Sequence, residues 1–378
     1  MKLDAEVLTF IDQHQKEALD LLTTLARIPS PSNHEEKRAA FCREWLEKQG
    51  AKGVYIDDAL NVVYPIDCSA DGPIVVVMAH TDVVFSDTED LPVVIDNGLI
   101  KAPGIGDDTA NLVALLLATK YIIEKKLHPK EGGMLIVCNS GEEGLGNLRG
   151  SRKIIEDFGK RVTEFYSLDG GNGMIVNRAV GSKRYSVEML TEGGHSYLKF
   201  GNRNAIAYMS SMINNLYTMK VPEIGKTMYN VGMITGGTSV NTIAQQAEML
   251  YEFRSDYKES LDVMERHFNA IIESYRAKGI TVNVTLLGER PCMGDVDPDK
   301  QQALVSKAER ITREYLKIEP ELQPGSTDCN IPLSVGIPSV ALGCYIGEGA
   351  HTRGEWVRID SLPNGLKLAF DLILEHFE

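Results

Sequence analysis

Histidine and carboxylate side chains recur in this sequence directly after short apolar runs. Imidazole and carboxylate groups together are the donors that zinc, manganese and cobalt favour in proteins. A metal ion held in this way polarises a carbonyl group and activates water, which is the chemistry of metal-dependent hydrolysis. The candidate residues fall in five segments: His80 and Asp82; Asp107 and Asp108; Glu142 and Glu143; Asp169; and His351.

The spacing inside two of these segments suggests different roles for their members. Residues two apart in an extended segment face the same way, so Asp82 can accept the second ring N–H of a metal-bound His80. Neighbouring side chains point apart, so one of Glu142 and Glu143 can bind metal while the other acts as a general base.

Each segment taken alone also has a purely structural interpretation. A histidine at a strand end can be capped by its neighbour, and two glutamates between glycines can form a solvated turn. The pair Asp107-Asp108 can cap the following helix, and Asp169-Gly170 can be a simple turn. Because all of them follow predicted strands, one shared site explains the pattern better than separate coincidences.

The elements that must position these residues alternate between strands and helices. Continuous apolar runs predict strands that are buried on both faces, as in a parallel sheet. The N-terminal twenty residues predict one charged amphipathic helix. The other predicted elements are strands over 74–79, 134–138, 163–168 and 338–342, and helices over 110–126 and 362–377. This order favours an α/β sandwich with a mostly parallel sheet, which binds ligands at the carboxyl ends of its strands.

The middle of the chain follows the order strand, helix, strand, strand, helix, strand, which is the ferredoxin-like unit. Its predicted elements are strands over 183–190, 229–234, 248–254 and 281–287, and helices over 205–219 and 261–278. We therefore expect an inserted α+β domain over residues 181–292 that divides a catalytic domain into 1–180 and 293–378. The free face or edge of such a sheet is a natural dimer contact.

The composition excludes several classes of protein. A length of 378 residues favours two domains. With 39 Lys+Arg against 53 Asp+Glu, the net charge is −14, so binding to nucleic acid or an anionic membrane is not expected. No apolar run is long enough to span a membrane, and the N-terminus lacks a signal-peptide core, so a cytoplasmic location is expected. The six cysteines show no paired spacing and are expected to be reduced thiols.

Nine motifs in a fixed order carry a resemblance that covers nearly the whole chain. They are MAHTDVV (78–84), PGIGDDTAN (103–111), NSGEEGLGNLRG (139–150), SLDGG (167–171), EGGHSY (192–197), GGTSVNTIA (236–244), EFRSD (252–256), GSTDCN (325–330) and GAHTRGEW (349–356). The set resembles the family of co-catalytic di-zinc peptidases and deacylases. That family includes peptidase T, carnosine dipeptidase, aminoacylase, acetylornithine deacetylase and succinyl-diaminopimelate desuccinylase, and EFRSD looks most like the peptidase T branch.

The resemblance implies a three-layer α/β/α catalytic domain that holds two divalent metal ions, zinc in the first place and cobalt or manganese as alternatives. His80 and Asp169 would bind one ion, and Glu143 and His351 the other. Asp107 would bridge the two ions, and in this family a cis peptide bond often follows the bridging aspartate.

The remaining roles follow from the same resemblance. Glu142 would be the general base, and Asp82 would orient the first histidine. In the inserted domain, His195 resembles a residue that reaches the partner subunit's active site and stabilises an oxyanion. Asn241 and Arg254 resemble substrate-binding positions, with Arg254 able to take a substrate carboxylate and Asn241 adding a neutral donor nearby. Taken alone, these three residues are more typical of ordinary hydrogen-bonded or solvated side chains than of a binding site.

These residues predict a homodimeric hydrolase that cleaves an amide bond in a short peptide. A deacylase of N-acyl amino acids is an alternative that the motifs do not separate. A non-catalytic binding module on the same fold is a second alternative, which the complete set of ligands and Glu142 disfavours. One departure concerns the position after the aspartate pair, where the family commonly has lysine, often followed by glycine. This chain has Thr109 and Ala110 there, which leaves the metal ligands intact but puts substrate preference or local packing in question.

Overall fold

A computed structural model describes residues 3–378 of the chain. The chain divides into two compact units. The first combines the stretch before Val180 with the stretch after Met293, and the second is the inserted stretch Val180–Met293. Among the described residues, no helix is both long enough and apolar enough to cross a lipid bilayer.

The N-terminal region forms two helices, so the prediction of one continuous helix is wrong. Helix α1 spans Ala5–Gln13 and helix α2 spans Gln15–Arg27. The backbone leaves the helical region at His14, whose ring stacks on Phe10 at 3.8 Å between centroids and whose Nδ1 lies 2.7 Å from the Phe10 carbonyl oxygen. Residues 1 and 2 of the predicted helix lie outside the described residues.

The rest of the first stretch alternates strands and helices. Its elements are α3 (Glu36–Lys48), β1 (Tyr55–Ile56), β2 (Val62–Ile66), β3 (Ile74–His80), β4 (Val94–Asp96), β5 (Leu99–Lys101), α4 (Asn111–Lys125), β6 (Gly133–Asn139), α5 (Arg149–Phe158), β7 (Val162–Leu168) and β8 (Met174–Ala179). Helix α4 is buried on every side from Asn111 to Ile122, which explains its nearly continuous apolar sequence.

The inserted unit contains β9 (Gly181–Leu190), β10 (Gly194–His195), α6 (Ala205–Leu216), β11 (Thr227–Gly236), β12 (Thr242–Ile243), β13 (Gln246–Ser255), α7 (Lys258–Arg276) and β14 (Thr281–Arg290). Its sheet has the order β11-β13-β9-β14 with every pair antiparallel, which confirms the ferredoxin-like prediction. Buried and less buried residues alternate along β13, as expected for a sheet with one covered face. The core on that face includes Met249, Phe253 and Phe268.

The last stretch returns to the first unit. It contains α8 (Pro298–Tyr315), β15 (Glu321–Gly325), α9 (Asn330–Ser334), β16 (Ser339–Leu342), β17 (Gly347–Glu348), β18 (Trp356–Arg358) and α10 (Leu362–Leu374). All four predicted buried strands and both predicted long helices of this unit are confirmed.

The main sheet of the first unit has eight strands in the order β1-β2-β6-β3-β7-β16-β8-β15. The four central strands β6, β3, β7 and β16 run parallel. Antiparallel pairing joins β2 to β6 on one side and β8 to β16 on the other, so the sheet is mixed. The carboxyl ends of the parallel strands form one edge of the sheet. The candidate residues of the first unit lie at those ends or in the adjoining loops.

Candidate metal centre

His80 is the last residue of β3, and three contacts fix its position. The main-chain N–H donates to Asp108 Oδ2 at 2.8 Å. Ring Nδ1 lies 3.0 Å from the main-chain oxygen of Asp82 and 3.5 Å from its Oδ1. Ring Nε2 lies 3.0 Å from Asp107 Oδ1. The imidazole is therefore held by the Asp82 residue on one side and presents its other nitrogen to Asp107.

Asp107 stands between two imidazole rings. Its Oδ1 faces His80, and its Oδ2 lies 3.1 Å from His351 Nε2. The same His351 nitrogen lies 3.0 Å from Glu143 Oε1. One carboxylate thus links the two histidines, and the peptide bond that follows it, Asp107-Asp108, is cis, as the resemblance implied.

Potential metal-donor atoms in this region form three overlapping groups, each with its atoms within 4.8 Å of one another. The groups are His80, Asp107, Asp108 and Asp169; Asp107, Glu143 and His351; and His80, Glu142 and Glu143. The structure therefore brings together the five candidate ligands and Glu142, and Asp107 belongs to both sets that the resemblance assigns to separate ions.

Asp108 differs from Asp107 because its two oxygens accept a main-chain N–H and an amide N–H, whereas those of Asp107 face imidazole nitrogens. One accepts the His80 main-chain N–H, and the other accepts Asn111 Nδ2–H at 2.6 Å. Asn111 also donates to the Gly170 carbonyl at 2.9 Å and accepts the Cys344 main-chain N–H at 2.7 Å. Asn111, which the sequence reasoning missed, therefore connects the loops that follow three strands.

Asp82 anchors the loop that carries the two glutamates. Its carboxylate accepts the main-chain N–H groups of Glu142 at 3.1 Å and Glu143 at 3.0 Å, and the hydroxyl of Ser32 at 2.7 Å. Burial alone would raise the pKa of Asp82, but His80 and these donors outweigh burial and hold the pKa below its usual value. The residue therefore supports both the first histidine and the glutamate loop.

Glu35 is a second anchor of the same loop that the sequence reasoning missed. It is fully buried, and its Oε1 accepts the main-chain N–H groups of Asn33 at 2.9 Å and Gly141 at 3.0 Å. Its Oε2 pairs with Arg149 at 2.9 Å. Burial and the charge of Asp82 raise the pKa of Glu35. No local signal marks this residue, since its partner Gly141 is distant in sequence.

The negative charges of the clustered carboxylates need additional positive charge nearby. Burial, followed by the charge of Asp107, raises the pKa of Asp169 to about 7, and among residues 3–378 no hydrogen bond reaches its carboxylate. Hydrogen bonds to Asp107 and Glu143 raise the pKa of His351 to about 11. Clustered carboxylates with too few donors, placed beside imidazole nitrogens, fit a site for divalent cations.

The ring of Tyr345 fixes the two loops that carry Asp107 and Asp169. A Cβ atom at Gly106 would lie 2.6 Å from this ring, and one at Gly171 would lie 2.8 Å from it. Glycine is therefore required at both positions by the close approach of the backbone to a buried side chain.

Arg38 is a fully buried guanidinium group that joins two of the ligand-bearing turns. It donates to the carbonyl oxygens of Ile28 at 2.9 Å and Thr81 at 3.0 Å, and to the Thr109 hydroxyl at 3.3 Å. Burial lowers the pKa of Arg38 to about 10, so the group stays charged at neutral pH. Thr109 stands where the family that this chain resembles commonly has lysine. It contacts the guanidinium group of Arg38, a residue of α3.

The candidate residues of the inserted unit do not all lie together. His195 is exposed, pairs with Thr242 between β10 and β12, and accepts the Tyr197 main-chain N–H at Nδ1 over 3.3 Å. Asn241 is also exposed, and its main-chain oxygen accepts the Ser196 N–H at 2.9 Å. These two candidates are therefore neighbours at one end of the unit.

Arg254 lies at the other end of the same unit. It is eight residues beyond Gln246 along β13, which corresponds to about 26 Å at ~3.3 Å per residue. Its guanidinium pairs with Glu252 at 3.0 Å. Within one chain, Asn241 and Arg254 therefore do not meet, because the full length of a strand separates them.

Comparison with known proteins places the chain among metallopeptidases. The model of peptidase family M20/M25/M40 matches residues 76–375. The succinyl-diaminopimelate desuccinylase of Hydrogenovibrio crunogenus is 25% identical, over 77% of this chain and 81% of its own.

Two solved structures show the same fold. A tripeptidase from Staphylococcus aureus superposes with a TM-score of 0.76 at 23% identity, covering 95% of this chain and 97% of its own. The YXEP protein of Bacillus subtilis, a dinuclear metal binding peptidase from the M20 family, has a TM-score of 0.62 at 18% identity, covering 97% and 99%. The expected mixed α/β fold with an inserted unit is therefore confirmed.

Replacing Arg38 with methionine tests its role as a buried link. Arg38→Met leaves the carbonyl oxygens of Ile28, which is half-buried, and Thr81, which is buried, without this donor, so the free energy of unfolding should fall by about 3 kcal/mol. Urea unfolding followed by circular dichroism measures this loss. Arg276→Met is the matched control, since Arg276 also donates to a main-chain oxygen, that of Val282, but is largely exposed. A loss no larger than that of the control would contradict the assignment.

Proposed function

Since the chain belongs to peptidase family M20/M25/M40, we propose that it is a metal-dependent hydrolase that cleaves an amide bond in di- or tripeptides. The observation that carries the proposal is the position of Asp107 between His80 and His351. Two sets of metal-type donors share this one carboxylate, and Glu142 lies beside them. A cluster of this kind supports hydrolysis at a pair of cations.

The donor set fits two divalent cations. His80, Asp107 and Asp169 would hold one, while Asp107, Glu143 and His351 would hold the other. We propose zinc, because mixed imidazole and carboxylate donors suit it, with cobalt or manganese as alternatives. When bound, such ions polarise a carbonyl oxygen and lower the pKa of water.

Glu142 is placed to move the proton during the reaction. Its main-chain N–H is fixed by Asp82, and a carboxylate oxygen lies within 4.8 Å of a donor atom of His80 and of Glu143. Glu143, by contrast, is in contact with His351. Glu142 would take the proton from the attacking water and then give it to the leaving amine.

We further propose that the protein acts as a homodimer in which His195 serves the partner's site. Strand β11 forms an edge of the inserted sheet, and Met233 and Ile234 on it are 44% and 48% exposed. The loop after His195 exposes further apolar residues, Tyr197 and Phe200 among them. Unpaired edges and exposed apolar side chains of this kind support association with a second copy.

Arg254 and Asn241 are proposed to bind the substrate carboxylate. Their separation within one chain means that one small substrate could contact both only if they came from different subunits. Arg254 already pairs with Glu252, so a substrate carboxylate would compete with that pair or add to it.

A deacylase of N-acyl amino acids is the second candidate function. It is favoured by the sequence relative that is named as a desuccinylase, whereas the structural neighbour is named as a tripeptidase. Both reactions hydrolyse an amide bond, so the metal ligands and Glu142 serve either one.

A reducing compartment such as the cytoplasm is proposed as the location. All six cysteines carry free thiols, and five of them are buried. Unpaired cysteines in a protein of this length are typical of a reducing environment.

Two variants separate the proposed base from the proposed ligand. Glu142→Gln should retain both metal ions but lose about a hundredfold or more in kcat, the usual scale for a general base. Glu143→Gln should also lose metal, because it removes a charged donor. Metal content by mass spectrometry and turnover on a tripeptide measure the two effects.

The same assay includes the parent protein after chelation and after metal is returned. Loss and recovery of activity are expected. Full activity in metal-free parent protein would exclude the metal-dependent mechanism, and a fully active Glu142→Gln variant would exclude Glu142 as the base.

A substrate panel decides between peptidase and deacylase. Unblocked di- and tripeptides should be cleaved with kcat/KM at least about tenfold above that of N-acetyl and N-succinyl amino acids with the same side chains. The reverse order would assign the deacylase function. No turnover of any member by metal-loaded protein would favour a binding module.

Mixing two inactive variants tests the homodimer. A His195→Ala chain and a Glu142→Gln chain should form heterodimers with one complete site, if His195 acts on the partner. An equal mixture should then regain about a quarter of the parent activity, because half the dimers are mixed and each has one working site. With subunit exchange verified by native mass spectrometry, no recovery would show that His195 does not act on the partner.

A further inference from the structure

Glu355 is a buried carboxylate whose partners are three main-chain N–H groups. It is 2% exposed. Its Oε2 accepts the N–H of Gly104 at 2.8 Å, and its Oε1 accepts those of Gly106 at 2.9 Å and Asp107 at 2.8 Å. The last of these donors belongs to the residue that lies between the two histidines.

The segment that Glu355 holds enters a short π-helical turn, Ile105–Ala110, which is interrupted at its centre. The backbone is non-helical at Asp107 (φ −96°, ψ 91°) and at Asp108 (φ −123°, ψ 15°). In the part of the chain that the structure describes, no main-chain oxygen accepts the N–H groups of Gly104, Gly106 or Asp107. Buried N–H groups need an acceptor, and the single side chain of Glu355 supplies all three.

Burial makes the negative charge of Glu355 energetically unfavourable. Burial raises the pKa of Glu355 to about 7, and the charge of Asp107 adds to this, although the three N–H groups act in the opposite direction. An amide side chain in its place would turn an NH₂ group towards a backbone donor. A carboxylate, which only accepts when ionised, is therefore the side chain that fits three converging N–H groups.

Glu355 also joins two of the ligand-bearing loops. It lies four residues after His351, and its main-chain oxygen accepts the Ala102 N–H at 3.2 Å. Beside it, Trp356 of β18 pairs with Lys101 of β5. The loop that ends in His351 is thus tied to the turn that carries Asp107, and the two ligands themselves meet at 3.1 Å.

We propose that Glu355 is a positioning residue that sets the orientation of Asp107 towards both metal ions. The inference rests on the proposed function, since it takes Asp107 as the shared ligand. Glu355 touches neither the substrate nor the metal in this role; it acts only through the main chain of the turn at 104–107.

The test compares Glu355→Gln and Glu355→Asp with the parent as full-length metal-loaded protein. Loss of a group that orients a ligand typically weakens metal affinity by about 10–100-fold. Glu355→Gln should show a loss in that range, measured by competition with a chromogenic chelator for Zn²⁺. With Co²⁺ in place of zinc, its visible absorption bands should shift, because the geometry around Asp107 changes. Glu355→Asp keeps the charge but has a shorter reach, so its effects should be smaller.

Asp371→Asn is the matched control. Asp371 is also a buried carboxylate, and it pairs with Arg310 at 3.1 Å and Tyr315 at 2.8 Å, away from the ligand loops. This variant should lower Tm without changing the Co²⁺ spectrum or zinc affinity. A merely structural role for Glu355 predicts the same behaviour for Glu355→Gln.

Folded Glu355→Gln with parental zinc affinity and a parental Co²⁺ spectrum would overturn the inference. If Glu355→Gln does not fold, Glu355→Asp decides in the same way, and a parental spectrum there overturns it. Parent protein that binds no Zn²⁺ or Co²⁺ would instead refute the proposed function, so the two failures are distinguishable.

Discussion

Repulsion between buried carboxylates is the constraint on which the first unit depends. Acidic side chains from several loops converge at the carboxyl edge of its parallel strands, and little solvent reaches them. Three of them are stabilised by surrounding donors: Asp82 has two main-chain N–H groups and a hydroxyl, Asp107 has two imidazole rings, and Glu355 has three main-chain N–H groups. The Asp169 carboxylate has no hydrogen-bond donor within the described residues. A cation would therefore lower the electrostatic energy of the cluster most at Asp169.

The hydrogen-bond partners that hold this cluster come from distant parts of the chain. Ser32 supports Asp82, and Glu35 supports Gly141 more than a hundred residues away. The Glu355 side chain reaches back to the turn at 104–107. The cluster therefore depends on contacts between segments that are distant in the sequence.

Sequence reasoning succeeded where the signal is local. The apolar run at 74–79 marks a strand that the structure places at Ile74–His80, because a strand buried on both faces needs no polar residue until it ends. His80 and Asp169 stand at or directly after such strand ends, whereas the ligand roles of Asp107, Glu143 and His351 came from the family resemblance. Glu35 and Glu355 could not be found in this way, since nothing near either residue indicates its distant main-chain partners, Gly141 for Glu35 and the turn at 104–107 for Glu355.

Two other features needed the structure for different reasons. The break at His14 depends on a contact of its ring with Phe10 and on the path of the chain over the core, and no proline or glycine announces it. The separation of Asn241 from Arg254 follows from the register of β13, whose far end pairs with the first residues of β9. Motif order along a chain carries no information about such distances.

The inserted unit begins and ends at the same place in its own sheet. Ser182 near its start pairs with Arg290 near its end, and Gly181 lies so close to Cys292 that a Cβ atom would be 2.5 Å from the thiol sulfur. The two ends of this inserted stretch of more than one hundred residues therefore lie about as close together as the two ends of a hairpin. Loop-closure entropy grows with the number of flexible residues in a connection. An insertion that is itself folded and has adjacent ends therefore costs the host little more than a tight turn.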